Sequence, residues 1–120
     1  MNGKNYHMMA ERIIKRGEIY WVNFDPTIGT EIQKIRPVLI IFSSRHRVIA
    51  LPITSNTKEV HGWQLVIKGL VKDRDGKILF DQIRSFDKQR LLRKLGEVME
   101  REMEQINQML KKIFLLKNNK

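Results

Sequence analysis

Pro37-Val38-Leu39-Ile40-Ile41-Phe42 is the longest apolar run in this chain. It falls far short of the ~20 residues that span a bilayer. A short unbroken run of branched residues reads as a strand buried on both faces, and the rest of the chain is laid out around it. Upstream, Ile19-Tyr20-Trp21-Val22-Asn23-Phe24 is a second strand, rich in β-branched and aromatic side chains. Asp25-Pro26 breaks it, since proline has no amide donor and restricts the residue before it. Thr27 to Ile35 is then a long loop, of a length that small domains keep for a use. Downstream, Ser43 to Arg47 reads as a polar, basic hairpin turn and Val48 to Ile53 as the returning strand. Thr54 to Gly62 is polar loop and Trp63 to Ile67 a further strand.

The remaining third carries other signals. Asp75-Gly76 reads as a hairpin turn, because glycine accepts positive φ. Ile78-Leu79-Phe80 leads into Asp81 to Phe86, a last strand with polar residues interleaved. Asp87 is placed to cap a short helix through Leu95, which Gly96 ends. From Glu97 onward Met99, Met103, Ile106, Leu110 and Ile113 fall at steps of four and three, one apolar stripe of a helix. At the start of the chain, Tyr6, Met9 and Ile13 have the spacing of one face of a short helix, or belong to a leader. The pattern is of mainly β structure with a C-terminal helix: about five short strands in a small, strongly curved β-barrel.

The chain has 120 residues, 42% hydrophobic and 30% charged, a globular balance and about one domain's worth at ~150 residues each. Residues 1–15 read as the leader or short helix, 16–116 as the domain, and 117–120 as a basic tail. Lys4, Glu11, Arg12 and Lys15 interrupt the N-terminal apolar residues, against a signal peptide. The absence of cysteine removes disulfides, thiolate zinc sites and a cysteine nucleophile, and suits the cytoplasm. Net charge is +10 and the sequence pI about 10.2. The excess is +4 in residues 1–60 and +6 in residues 61–120, so it is spread along the chain. A pI above ~9 is the footprint of a nucleic-acid binder.

His7, His46 and His61 are far apart and lack partners at ligand spacing, so no metal and no cofactor are expected. Phosphate-loop, dinucleotide and nucleophile-elbow motifs are missing too. What remains are polar residues at strand ends and in loops. Arg36 stands just before the buried strand. Thr54 and Ser55 follow Ile53, Thr30 and Glu31 lie in the long loop, and Asp81, Gln82 and Arg84 interrupt the last strand. An arginine fork suits a phosphate and the added charge of a phosphorane-like transition state. A hydroxyl holds a non-bridging oxygen, and a carboxylate takes or relays a proton. Each also has a plainer use: Arg36 in an ion pair with Glu31 or Glu18, Thr54 in a strand-ending hydrogen bond.

Four blocks in order resemble the MazF/PemK family of toxin endoribonucleases. They are Arg16-Gly17-Glu18-Ile19-Tyr20-Trp21-Val22-Asn23-Phe24-Asp25-Pro26 with Gly29-Thr30-Glu31, then Arg36-Pro37-Val38-Leu39-Ile40-Ile41, then Pro52-Ile53-Thr54-Ser55. The fourth is Asp81-Gln82-Ile83-Arg84-Ser85-Phe86-Asp87-Lys88 with Arg90-Leu91. The resemblance implies an SH3-like barrel, a homodimer, and metal-independent cleavage of single-stranded RNA, often at a short preferred sequence. In that chemistry the 2′-OH attacks the adjacent phosphate, leaving a 2′,3′-cyclic phosphate and a 5′-OH. Arg36 would stabilise the pentavalent phosphate and act on the leaving 5′-oxygen, and Thr54 would orient the phosphate. The supporting or RNA-binding set would be Thr30, Glu31, Lys34, Ser55, Asp81, Gln82, Arg45 and Arg47. The implied protein partner is an antitoxin whose acidic, extended segment covers the RNA groove.

The sequence departs from the family in three places. Glu31-Ile32-Gln33-Lys34-Ile35-Arg36-Pro37 lacks the glycine common before the second strand. The Ser43 to Arg47 hairpin is short. The basic partner that some members set near the position of Asp81 is Leu79 here. Trp63 is expected inside the barrel, with base stacking as its alternative. A non-catalytic nucleic-acid-binding barrel, or a gyrase poison of the same fold, is the competing function. The gyrase poisons usually rely on a C-terminal tryptophan, which Phe114-Leu115-Leu116-Lys117-Asn118-Asn119-Lys120 lacks.

Overall fold

The computed structural model describes residues 12–24 and 35–115. Among them, seven strands form one curled antiparallel sheet: β1 (Glu18–Asn23), β2 (Ile35–Ser43), β3 (Arg47–Thr54), β4 (Gln64–Val71), β5 (Arg74–Leu79), β6 (Arg84–Asp87) and β7 (Leu91–Glu97). One helix, α1 (Glu100–Phe114), follows. The strand order is β4-β5-β3-β2-β1-β7, with β6 also paired to β3.

Alternation within the three apolar strands explains why they lie at the centre. Ile19, Leu39, Ile41, Leu51 and Ile53 join one buried cluster, while Tyr20, Val22, Val38, Ile40, Val48 and Ala50 join another. Neighbouring residues point to opposite faces of a strand, so a run such as Val38 to Ile41 fills both layers. The first layer is closed by α1 through Ile106 and the partly buried Met103, Met109, Leu110 and Ile113. The second is closed by Ile14, Phe86, Leu91 and Phe24.

β3 makes the sheet curl by changing partners along its length. Arg47–Ala50 pair with β6, Ile53 and Thr54 pair with β5, and the other edge pairs with β2. Pro52 sits between the two partners, a position where a strand tolerates the missing amide.

Several expectations change. Asp87 does cap a turn, its Oδ1 accepting the Gln89 N–H at 2.9 Å, but the turn is the single 3-10 unit Lys88–Arg90. The rest of the expected helix is β7, held against β1 from Glu18–Glu97 to Val22–Leu91. Asp81 to Phe86 divides into a 3-10 turn at Phe80–Gln82 and the short β6. The β4–β5 hairpin turns at Lys72 and Asp73, both with positive φ, and Asp75-Gly76 belongs to β5. Gly76 is needed there for closeness: a Cβ would stand 2.9 Å from Ile53 Cγ2 and 3.0 Å from Leu70 Cδ2.

α1 starts at Glu100, three residues late, with Glu102 reaching back to the Met99 N–H at 2.9 Å. Residues 12–15 form no helix: Ile14 is buried and Ile13 exposed, while Tyr6 and Met9 lie outside the described residues. No helix among the described residues is long and apolar enough to cross a membrane.

One buried polar group links β1 to β7. The Glu18 carboxylate, 7% exposed, accepts the Lys15 N–H at 2.9 Å, the Tyr20 hydroxyl at 3.0 Å and the Lys94 ammonium at 3.0 Å. Burial pushes its pKa up, but the three donors more than offset this and hold it below the ordinary 4.5. Burial, then the Glu18 contact, pushes the Tyr20 hydroxyl up. A carboxylate depressed on folding stabilises the fold fully above its unfolded value and loses that contribution as pH falls through the folded one. Melting temperature should therefore drop below about pH 4.5, and Glu18→Gln should flatten that acid limb. Thermal unfolding as a function of pH checks this; parallel limbs for the two proteins would contradict it.

Candidate active site

The end of the β2–β3 ladder carries the richest collection of polar side chains. The register runs Val38–Pro52, Leu39–Leu51 and Ile40–Ala50. Continued by two residues, it sets Arg36 opposite Thr54. Arg36 is also fixed from its other side by Val22 of β1, and Thr54 by Lys77 of β5. Both backbones are thus held between two neighbours, while the side chains line one cleft of about 640 Å³.

Among the described residues the Arg36 side chain makes no hydrogen bond or ion pair. Of the two plainer readings, Glu31 lies outside the described residues, and the Glu18 carboxylate is engaged by the Lys15 N–H, Tyr20 and Lys94 instead. Thr54 does make the expected local bond: its Oγ1 accepts the Asn56 N–H at 3.2 Å. Its hydroxyl proton is left to donate. An arginine fork facing a hydroxyl donor is a constellation that grips a phosphodiester.

Ser55 lines the same cleft. So do four residues not anticipated from the sequence: Trp21, Lys72, Arg74 and Arg93. With Arg36 they place four cations around one concavity. Asp75 lines it too, with Oδ1 accepting the Gly69 N–H at 3.0 Å. That bond fastens the irregular stretch of β4 opposite the hairpin turn. Arg93 reaches the cleft only because Leu91–Glu97 is a strand and not part of a helix. Arg74 adjoins the Asp75-Gly76 turn signal, which carries no hint of a site.

Other expected residues stand elsewhere. Asp81 and Gln82 sit exposed on the 3-10 turn and do not line the cleft. Arg45 and Arg47 lie at the β2–β3 hairpin, the opposite end of the ladder, where Arg47 Nε donates to Ser85 Oγ at 2.9 Å. Arg84 covers the Phe24 and Phe86 rings, 5.1 and 4.6 Å from their centroids. Thr30, Glu31 and Lys34 lie outside the described residues. Trp63 is not inside the barrel: it is 44% exposed and stacks on His61, ring centroids 5.0 Å apart and 8° from parallel. No group of three or more His, Asp or Glu among the described residues is placed to hold a metal ion.

Residues 15–114 match the family model described as the PemK-like, MazF-like toxin of type II toxin–antitoxin systems. The chain is 32% identical over 111 residues to endoribonuclease MazF9 of Mycobacterium tuberculosis, covering 82% of this chain and 94% of that one. It is also 32% identical over 106 residues to endoribonuclease EndoA of Bacillus subtilis, covering 82% and 91%. A MazE–MazF crystal structure from Deinococcus radiodurans superimposes with a TM-score of 0.72, at 23% identity, over 87% of this chain and 97% of that chain. An endoribonuclease solved with its cognate antitoxin from a mycobacterial species gives 0.70, at 22%, over 89% and 100%. The two structures establish a common fold.

Proposed function

We propose a catalytic reading of the cleft from one premise: this chain belongs to the PemK-like, MazF-like toxins of type II toxin–antitoxin systems. It is an endoribonuclease, the activity for which its relatives at 32% identity are named. That activity takes the place of the non-catalytic and gyrase-poison alternatives. The observation that carries the catalytic assignment is the pairing of Arg36 with Thr54 in a cleft ringed by further cations.

Single-stranded RNA binds with one phosphate between the two side chains. The 2′-oxygen attacks phosphorus as the bond to the 5′-oxygen breaks, giving a 2′,3′-cyclic phosphate and a 5′-OH. The proton of the attacking hydroxyl leaves to solvent, and the departing oxygen takes one up. Arg36 neutralises the charge that gathers on the non-bridging oxygens and the departing 5′-oxygen. Such stabilisation counts most in the transition state, where the charge is largest. Thr54 donates its hydroxyl proton to a non-bridging oxygen and keeps the phosphate in line. Lys72, Arg74 and Arg93 draw the backbone in. Neither step needs a metal.

The cationic surface suits two competing polyanions, RNA and the acidic, extended segment of an antitoxin. The protein acts in the cytoplasm as a homodimer. The test is incubation of the purified protein with a long single-stranded RNA in EDTA, followed by mapping of the 5′ ends. Discrete cuts with 5′-OH ends are expected. Tight, salt-sensitive binding with no cut would overturn the catalytic reading.

A further inference from the structure

We propose that the pocket between residues 12–14 and the β2–β3 hairpin is a second phosphate site, which holds a backbone phosphate of RNA remote from the cleavage position. It takes its ligand from the RNA reading above, but uses none of the residues of the cleft. The pocket measures about 410 Å³ and is lined by Arg12, Ile13, Ile14, Ser43, Arg45 and Lys88, none of them acidic.

Lys88 carries the argument. It is 5% exposed, and its ammonium has one hydrogen bond, to the Arg12 carbonyl at 3.2 Å. Lys88 makes no ion pair among the described residues. A second cation is fixed beside it. The Arg12 guanidinium donates to the carbonyls of Lys88 and Leu91 at 3.1 Å and of Leu92 at 3.3 Å. Its Nε is sealed from solvent without a partner. Burial, then the Arg12 charge, pushes the Lys88 pKa below its ordinary value.

Among the described residues, Asp87 caps its own turn and Glu18 is taken up by Tyr20, Lys94 and the Lys15 N–H. A buried ammonium beside a half-buried guanidinium, held by carbonyls and by the Tyr20 ring 5.8 Å from the Arg12 Cζ, costs stability unless an anion neutralises them. A phosphate with several acceptor oxygens meets an ammonium and a guanidinium, and the Ser43 hydroxyl can join them by giving up its long 3.4 Å bond to the Ser44 carbonyl. Arg45 stands at the rim, on an exposed hairpin.

β2 joins the two sites, with Arg36 near one end and Ser43 at the other. Seven steps of ~3.3 Å set them roughly 23 Å apart. Only an oligonucleotide several nucleotides longer than the one that fills the cleft reaches both.

The experiment measures binding by the intact protein of 2′-O-methyl oligoribonucleotides, which lack the attacking hydroxyl and so are not cut. A trinucleotide and a dodecanucleotide are compared, by fluorescence anisotropy across a range of salt. Lys88→Met and Arg45→Gln should each weaken the dodecanucleotide about tenfold and lower its salt slope by about 0.7, the value per phosphate for single strands. Trinucleotide affinity should not change. Lys88→Met should also melt no lower than the parent, because it removes a buried charge.

A lower melting temperature with both affinities unchanged would make Lys88 a structural strap and overturn the proposal. Equal losses for both lengths would overturn it too, as would variants that bind RNA normally but lose affinity for a polyglutamate peptide. If the parent binds neither oligonucleotide, the RNA reading itself falls, and this site with it.

Discussion

Arg36→Ala should cut RNA at least about a hundredfold more slowly than the parent while its melting curve stays in place. Removing one preorganised donor to a developing oxyanion costs about 10²–10³ in rate, and Arg36 is here asked to serve both the non-bridging and the departing oxygens. The fold should not notice. Among the described residues the side chain makes no hydrogen bond or ion pair, and its backbone is held by β1. Arg36→Lys separates charge from shape: a point charge without the fork should recover part of the rate only. The measurement is single-turnover cleavage of an oligoribonucleotide at saturating protein. A rate equal to the parent's for Arg36→Ala would remove this residue from the mechanism.

The second large effect concerns stability. Ile106→Ala should cost about 2–5 kcal/mol, the range for emptying a large core position. Ile106 has 0% exposure and is the one fully buried residue of α1. The helix otherwise meets the sheet through half-buried side chains, so little else can close over the hole. Urea unfolding should show a lower midpoint with the same slope, since the surface exposed on unfolding is unchanged. Phe114→Ala, at the C-terminal end of α1 and 58% exposed, should stay within about 0.5 kcal/mol of the parent. Equal costs at the two positions would mean that α1 docks by another face.

The same contrast between centre and edge explains what could be read from residues alone. β1, β2 and β3 were legible because a strand filled on both faces must be apolar at consecutive positions, and few other elements need that. The α1 stripe was legible because its face is one-sided. β7 was not, because Leu91, Leu92 and Leu95 have spacings a helix also satisfies. Its strand state comes from pairing with β1, some seventy residues away. Glycine makes Asp75-Gly76 a stronger turn signal than Lys72-Asp73, where the chain turns; Gly76 answers instead to the approach of Ile53 and Leu70. In the cleft, Arg36 and Thr54 were visible because each abuts a legible strand. Lys72, Arg74 and Arg93 reach the same space only through the curl of the sheet and the register of β7, which no local pattern contains.

The double allegiance of β3 has a consequence for the birth of the enzyme. Thr54 is fixed by Lys77, and the wall of the cleft is finished by Arg93. Synthesis proceeds from the N-terminus, and pairings between distant segments form late and slowly. A nascent chain that has just emerged through β4 therefore holds Arg36 and Thr54 but has no finished cleft. Only when β5 and β7 have left the ribosome can the cleft close and the nuclease exist, so activity waits on strands made long after Arg36 and Thr54.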